Sequence, residues 1–293
     1  MPVDHRSRTR RLAFSAVGVA AALGVAIAWF AGRPVGPAKR LALARRLVLA
    51  GRPDAALAEA RRALASLDDR GDPALRLKAL AATAQIADFH LSRAYLPEAL
   101  RYYQQIVRLG PGTAAAYHAG VRIAQILHER MHDDVHAEAQ YLAVVDAFPH
   151  RPGIDRLVLQ AAEIALDSRR TEAARADAAR LVAQYPTSPR APDAQIIVGQ
   201  SFELEGRLQD ATKAFSAVGE RWPGTPAAAR ALYQKGTCLA DQGDYGDAIA
   251  SYIQALPTYP DPIVVQQSLA RARRHFTAEI AIQPGSHAYA FAR

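Results

Sequence analysis

The run His128-Glu129-Arg130-Met131-His132 sets two histidines four residues apart with a glutamate between them. On an unbroken helix that spacing puts both imidazoles on one face, where they can bind zinc while the glutamate activates a metal-bound water for hydrolysis. His136 adds a third imidazole close by. Cys238 is the sole cysteine, a nucleophile only if a neighbouring base holds it as thiolate. Between Thr237 and Leu239 it reads instead as a small buried thiol. Arg271, Arg273, Arg274 and His275 form a basic run that reads as a solvated face or a docking surface. The sequence has no G-x-x-x-x-G-K-[ST] phosphate loop, no G-x-S-x-G elbow and no strand-like segment leading into G-x-G-x-x-G.

What these residues can do depends on the elements that hold them, and those elements repeat. Phe148-Pro149, Tyr185-Pro186, Trp222-Pro223 and Tyr259-Pro260 recur every 37 residues. Superposing 149–185, 186–222 and 223–259 aligns Pro152, Pro189 and Pro226, then Gly206 with Gly243, then Ala174, Ala211 and Ala248. Each unit reads as two helices and a turn. Thr225 can cap exposed N–H groups and Pro226 lacks a donor that would go unpaired there, so the first helix starts at that pair. Gly243 marks a turn where a side chain would hinder the reversal. The second helix is expected over 245–256, and Pro260 forbids its continuation. Ala248 stands at the closest helix approach, with Tyr252 one turn later as the large packing residue.

This register argues against the zinc reading. His132 aligns with Gly206 and Gly243, so the helix is expected to end before it presents the second histidine. His128 aligns with Phe202 and Leu239 in a column expected to face the core, and His90 occupies that column one repeat earlier. These histidines read as packing and turn residues, with no metal site.

The small residue of the first helix, the glycine at the turn, the alanine and aromatic of the second helix and the terminal proline together resemble the tetratricopeptide repeat. Gly236, Gly243, Ala248, Tyr252 and Pro260 carry the resemblance, as do Gly199, Gly206, Ala211, Phe215 and Pro223. Earlier units keep parts of the pattern: Ala174 and Pro186 with Ala178 in place of the aromatic, Ala137 with Tyr141, Ala99 with Tyr103 and Pro111, and Gly51 with Ala56. The resemblance implies an all-α solenoid of about six repeats over 38–260, followed by a helix over 263–280 that caps the last pair within a C-terminal segment 261–293. It also implies a groove lined by the first helices. In that groove Arg156, Asp193 and Arg230 form one row, Leu159, Ile196 and Tyr233 the next, and Glu163, Gln200 and Thr237 a third. Tyr233 is the expected anchor for a protein or peptide partner. The run Tyr185 to Ala194 resembles the repeats of the bacterial Tol-Pal coordinating protein family and of the tetratricopeptide lipoproteins of outer-membrane assembly. The first family adds a coiled coil, whereas 38–110 shows no heptad; the second needs a lipidated cysteine that this chain lacks.

The formal charge of +8 is confined to the start of the chain. Arg6, Arg8, Arg10 and Arg11 against Asp4 leave +3, and Arg33, Lys39, Arg40, Arg45 and Arg46 add +5, so that 47–293 is neutral. Charge flanking one apolar segment suits anionic lipid headgroups and not a nucleic acid. The segment 12–32 has Ser15 as its only clearly polar residue, and its 21 residues would rise roughly 31 Å as a helix, enough to cross a bilayer. The chain therefore reads as a basic cytoplasmic tail 1–11, a signal anchor 12–32 and a linker 33–37 ahead of the repeats; the alternative is a signal peptide cleaved at the small-x-small site Ala26-Ile27-Ala28, against which stands an apolar run longer than a signal peptide needs. The arginine-rich tail is the harder side to translocate, so the repeats are expected on the far side, in a bacterium the periplasm. An anchor ahead of periplasmic repeats also resembles the layout of the ancillary subunit of the secretory translocon. The function expected is a scaffold at the inner membrane for envelope assembly, secretion or chaperoning, with no cofactor, small-molecule substrate or nucleic acid. The alternatives are the same scaffold facing the cytoplasm and, from another class, a zinc metallopeptidase using His128, Glu129 and His132.

Overall fold

The computed structural model describes residues 35–67 and 72–282. The basic tail 1–11 and the apolar segment 12–32 lie outside them. Among the described residues no helix is long and apolar enough to cross a membrane. The described residues form thirteen α-helices joined by short turns, with no strand among them.

The chain divides into two compact units, Met1–Tyr102 and Tyr103–Arg293. The first contains α1 (Pro37–Leu49), α2 (Pro53–Ala65) and α3 (Pro73–Phe89), and the boundary falls within α4 (Leu96–Leu109). Each of α1 to α3 has proline in its first turn, where the missing N–H costs nothing. Asp72 caps α3, its carboxylate accepting from the Ala74 N–H at 2.9 Å. Helices α1 and α2 pack along their length, α2 packs on α3, and Leu41, Ala63 and Ala79 form their common core. Arg40 bridges from α1 to Glu59 of α2 at 3.0 Å.

The second unit contains α5 (Ala114–Gln125), α6 (Asp134–Ala147), α7 (Asp155–Asp167), α8 (Thr171–Gln184), α9 (Ala191–Leu204), α10 (Leu208–Arg221), α11 (Pro226–Asp241), α12 (Tyr245–Ala255) and α13 (Pro262–Ile282). Each helix packs against the next. Among the helices that open the repeats, α7 touches α9 and α9 touches α11, whereas the second helices α8 and α10 make no comparable contact. Two layers result, an inner one of mutually touching first helices and an outer one of separated second helices.

The turn within each repeat follows one backbone pattern. Gly206 and Gly243 adopt φ of +72° and +84°, and the residue after each glycine closes the reversal: Arg207 N–H donates to the Phe202 carbonyl and Asp244 N–H to the Leu239 carbonyl, both at 2.9 Å. A side chain would hinder this turn, as expected, though not by crowding: a Cβ at either glycine would meet nothing within 4 Å. The demand for glycine comes from the left-handed backbone alone. Arg169 and His132 hold the equivalent positions, each with φ of 57°. At Arg169 the closure is the same, Arg170 N–H to the Ala165 carbonyl at 2.8 Å. At His132 it is one residue wider: Asp133 N–H reaches the Leu127 carbonyl at 2.8 Å, and a π-helical turn over Ile126–Met131 absorbs the additional residue.

The aromatic-proline pairs end the second helices. Phe148, Tyr185 and Trp222 are the C-caps of α6, α8 and α10, with φ between −128° and −135°; a following proline drives the preceding residue out of the helical region in this way. Tyr259 lies beyond α12, which stops at Ala255, one residue short of the expected Leu256. The proline column ahead of the first helices is less uniform than its alignment. Pro226 opens α11 behind Thr225, whose hydroxyl accepts from the Ala228 N–H at 3.1 Å, but Pro152 and Pro189 stay in the connecting turns, ahead of helices that start at Asp155 and Ala191.

Packing between the layers is set by complementary sizes. A Cβ on Gly199 would stand 2.3 Å from the Phe215 ring, and one on Gly236 would stand 2.7 Å from the Tyr252 ring. Where the second helix carries only Ala178, the first helix carries Ala162, and both are fully buried. The last helix, α13, spans slightly more than the expected 263–280 and buries Val265, Leu269 and Ala272 against Leu239, Ala248 and Tyr252.

Candidate functional site

The His128–His132 run is not presented as a zinc-binding face. The π-helical turn shifts His128, and His132 follows it in the left-handed region, so the two imidazoles do not share one regular helix face. His128 is half-exposed, with Nδ1 at 2.7 Å from Asp134 Oδ1, while the Ser168 hydroxyl donates to the other oxygen of that carboxylate at 2.7 Å. Together these bonds hold the Asp134 carboxyl below its ordinary range. His136 sits on Asp133 at 2.8 Å. Among the described residues no group of three histidine, cysteine or acidic side chains is placed to hold a metal ion. The expectation of a core column at His90 and His128 is corrected. His90 is the exposed C-cap of α3. Phe202, in that column, is partly buried between the guanidinium groups of Arg175 and Arg207, at 4.3 and 4.5 Å from its ring centre, and Leu239 alone of this set is buried.

Cys238 is fully buried, and burial, then the nearby Glu203 and Asp241, push its thiol up to about 12. A thiol held protonated in this way is no nucleophile.

The nine residues expected to line a groove lie on α7, α9 and α11, the mutually touching first helices. Arg156 and Glu163 are exposed on α7, and Gln200 is half-buried on α9. Arg230 of α11 forms an ion pair with Asp193 of α9, so this charged row is closed between neighbouring repeats and not left open at both positions. Leu159 and Ile196 are 9% and 7% exposed, covered by the chain itself. Tyr233, the expected anchor, is tied to the C-terminal end of the fold. Its ring lies 5.0 Å from that of Tyr259 and 5.6 Å from that of Tyr252, and its hydroxyl is 3.2 Å from Ser268 of α13. The Thr237 hydroxyl donates to the Tyr233 carbonyl at 3.2 Å.

A row of carboxylates on the same helices went unread in the sequence. Asp167 follows Glu163 by one turn, Glu203 follows Gln200, and Asp241 follows Thr237. Asp167, Gln200 and Glu203 border one hollow of about 360 Å³ with Leu166, Arg169 and Leu204. Thr237 and Asp241 border another of about 230 Å³ with Tyr233, Tyr245, Arg271 and His275, the last of which stacks on Tyr245 at 5.0 Å. Although Glu163 is exposed at its surface, the protein packed around its carboxyl, then the like charges of Asp167 and Asp193, raise it above its ordinary range. Glu203 is raised by burial and then by Asp241. The signal in the sequence was the i,i+3 and i,i+4 spacing of these acids from the expected groove positions. The basic run separates: Arg271 borders the second hollow, while Arg273 and Arg274 are exposed.

A second buried charge cluster lies away from this face. Arg170, at the start of α8, forms an ion pair with Glu138 of α6. Asp177, 7% exposed on α8, has one carboxyl oxygen with no hydrogen-bond partner. Burial, then the charge of Glu138, raises Asp177 to about 6.

Residues 159–224 and 206–261 match the tetratricopeptide repeat family model, so this stretch carries tetratricopeptide repeats. The apo form of RapI is 12% identical, with 85% of this chain and 77% of that one covered at a TM-score of 0.51. MamA 41-end from Desulfovibrio magneticus RS-1 is 16% identical, covering 64% of this chain and 96% of that one at 0.44. YrrB, described as a TPR protein with an unusual peptide-binding site, is 19% identical, covering 67% of this chain and 91% of that one at 0.44. No curated protein matches this chain. At such identities the likeness is one of fold.

Proposed function

We propose that the chain is a membrane-tethered tetratricopeptide scaffold that holds protein or peptide partners during assembly, secretion or chaperoning at the cell envelope. The observation that carries the reading is the direct contact of α7, α9 and α11. That contact sets Arg156, Glu163, Gln200 and Thr237 on one layer of helices, continued by Asp167, Glu203 and Asp241. A face built from several rigid helices presents many side chains to one extended partner at small ordering cost. Its acidic end favours a partner that brings lysine or arginine there. Residues 12–32 supply the tether and the arginine-rich tail stays in the cytoplasm, which puts the repeats on the other side. The resemblance of the run from Tyr185 to Ala194 to repeats of envelope proteins supports that compartment.

Topology and partner binding are tested together. Alkaline phosphatase and a green fluorescent protein that folds only in the cytoplasm are each fused after Arg293, and a photo-crosslinking residue is placed at Gln200 or, as a control, at Gln209, exposed on the second helix α10. Phosphatase activity, with discrete crosslinked products from Gln200 but not from Gln209, is the expected result. Fluorescence alone would move the scaffold to the cytoplasmic side, and identical products from both positions would remove the groove.

A further inference from the structure

The first helix of the first unit has one side with no protein against it. Helix α1 packs on α2 and touches α3, burying Leu41 and Ala44. Its opposite side carries Lys39, Ala42, Leu43 and Arg46, which three- and four-residue spacing sets on one face, and all four are exposed. A helix with neighbours on both sides looks different: α9 exposes only Leu204 along its length. These four residues take no part in the hollow between α1 and α3, which Ala44, Arg45, Val48 and Leu49 border from the α1 side. Val35 extends the outward side ahead of the helix, its carbonyl accepting from the Arg40 guanidinium at 3.0 Å. Val35 is 48% exposed and Leu43 is 42% exposed. The charge here is of one sign. Helix α1 contains no acidic residue, Glu59 of α2 is held by Arg40 and Arg62, and among the described residues neither Lys39 nor Arg46 has an ion pair. Apolar side chains interleaved with long basic ones suit a helix lying at a lipid interface, where leucine enters the acyl boundary and the charged heads reach back to phosphate.

We infer that the outward side of α1 rests on an anionic lipid surface, with Val35 and Leu43 entering between headgroups while Lys39 and Arg46 meet their phosphates. The inference rests on the proposed tether and deepens it. Four residues separate Gly32 from Pro37, a connection that reaches at most about 18 Å, so a membrane-spanning 12–32 holds the start of α1 beside the headgroup layer. Charge selects among the occupants. A second copy meeting this face symmetrically would set Lys39 and Arg46 against the same cations, and zwitterionic lipid would leave both without a net counter-charge. Anionic headgroups supply that charge, and each basic residue near such a surface adds to the attraction.

The test places the full chain in nanodiscs of phosphatidylcholine, with or without phosphatidylglycerol, and attaches a nitroxide label at Ala42→Cys, at Ala22→Cys within the apolar segment, or at Gln209→Cys as an exposed control. Cys238 is buried and takes no label. Collision of each label with oxygen, which concentrates in lipid, and with a water-soluble nickel complex reports its depth. The expected result is an Ala22 label inside the bilayer in both discs and a Gln209 label in water in both. The Ala42 label should enter the lipid interface in the anionic discs, with a docked-to-free ratio about tenfold or more above that in phosphatidylcholine alone. Lys39→Glu with Arg46→Glu should abolish that difference, circular dichroism showing that the variant is folded. Sodium chloride at about 1 M, where the screening length falls to about 3 Å, should release the unaltered face as well. An Ala22 label in the bilayer with an Ala42 label in water in every disc would overturn this surface and leave the tether standing. An Ala22 label in water would remove the tether and this surface with it. An Ala42 label immobilised and shielded from both reagents in every disc, whatever the charge at 39 and 46, would overturn the lipid assignment in favour of a protein contact such as a second copy.

Discussion

Gly236 of α11 lies directly against the ring of Tyr252 of α12, so close that a Cβ there would stand 2.7 Å from Cε1. Gly199 and Phe215 repeat the relationship one unit earlier. The aromatic is fully or nearly buried in both places, so the ring cannot swing into solvent without losing its packing. Gly236→Ala and Gly199→Ala should each cost about 1–3 kcal/mol through overpacking. Introducing Tyr252→Leu beside Gly236→Ala should recover part of that loss, because the two changes act on one contact. Urea denaturation of the single and double variants measures the coupling; strict additivity would mean that the glycine is required for another reason.

The left-handed turns give a prediction of opposite sign. Arg169 and His132 hold φ of 57° where later repeats use glycine. Arg169→Gly and His132→Gly should therefore stabilise the fold, by up to about 1 kcal/mol once the greater freedom of glycine in the unfolded chain is subtracted. Gly243→Ala should destabilise by a similar amount although it would touch nothing. Thermal unfolding of the three variants checks the signs. A loss of stability in His132→Gly would show that the imidazole contributes more than its backbone costs.

Asp177 makes stability depend on pH. Its folded-state value of about 6 lies above the ordinary carboxyl value of 3.8, so the folded chain binds the extra proton between roughly pH 4 and pH 6 and loses stability as pH rises through that window. Asp177→Asn removes the ionisation. It should raise stability at pH 7 by an amount on the order of 2 kcal/mol and change little below pH 4. Paired melting curves at pH 4 and pH 7 decide the matter, and an effect equal at both would assign the gain to hydrogen bonding.

Cys238 should be chemically silent in the folded chain. Burial and neighbouring carboxylates hold its thiol protonated, at about 12, so iodoacetamide at pH 8 should label it only at the rate of unfolding. Mass spectrometry over time, with and without urea, compares the two states. Rapid labelling of the native chain would show that α11 opens locally.

The helical repeat was legible because a 37-residue recurrence of aromatic-proline pairs survives any local ambiguity. So was the turn at His132, whose alignment with Gly206 and Gly243 corresponds to a shared left-handed backbone. The π-helical turn before it was not, since one additional residue inside a helix changes no composition and no periodicity over so short a span. That turn moved His128 out of the column to which simple counting assigned it. The groove positions fall on the first helices as the repeat implies, but their side chains were legible only as types. Alignment does not show that Arg230 is spent on Asp193 or that Tyr233 is drawn toward α13. The acidic continuation through Asp167, Glu203 and Asp241 was missed because these residues occupy non-identical columns in successive repeats.

The burial of Val265, Leu269 and Ala272 of α13 has a consequence for how copies of the chain meet. A stack of identical helix pairs ends in a surface shaped to accept one more pair, and such an end can take the start of another copy in a head-to-tail contact that never closes. With α13 seated on Leu239, Ala248 and Tyr252, that adhesive end is already occupied from within. The helix therefore acts as a terminator of growth, keeping a self-complementary architecture from polymerising through this end.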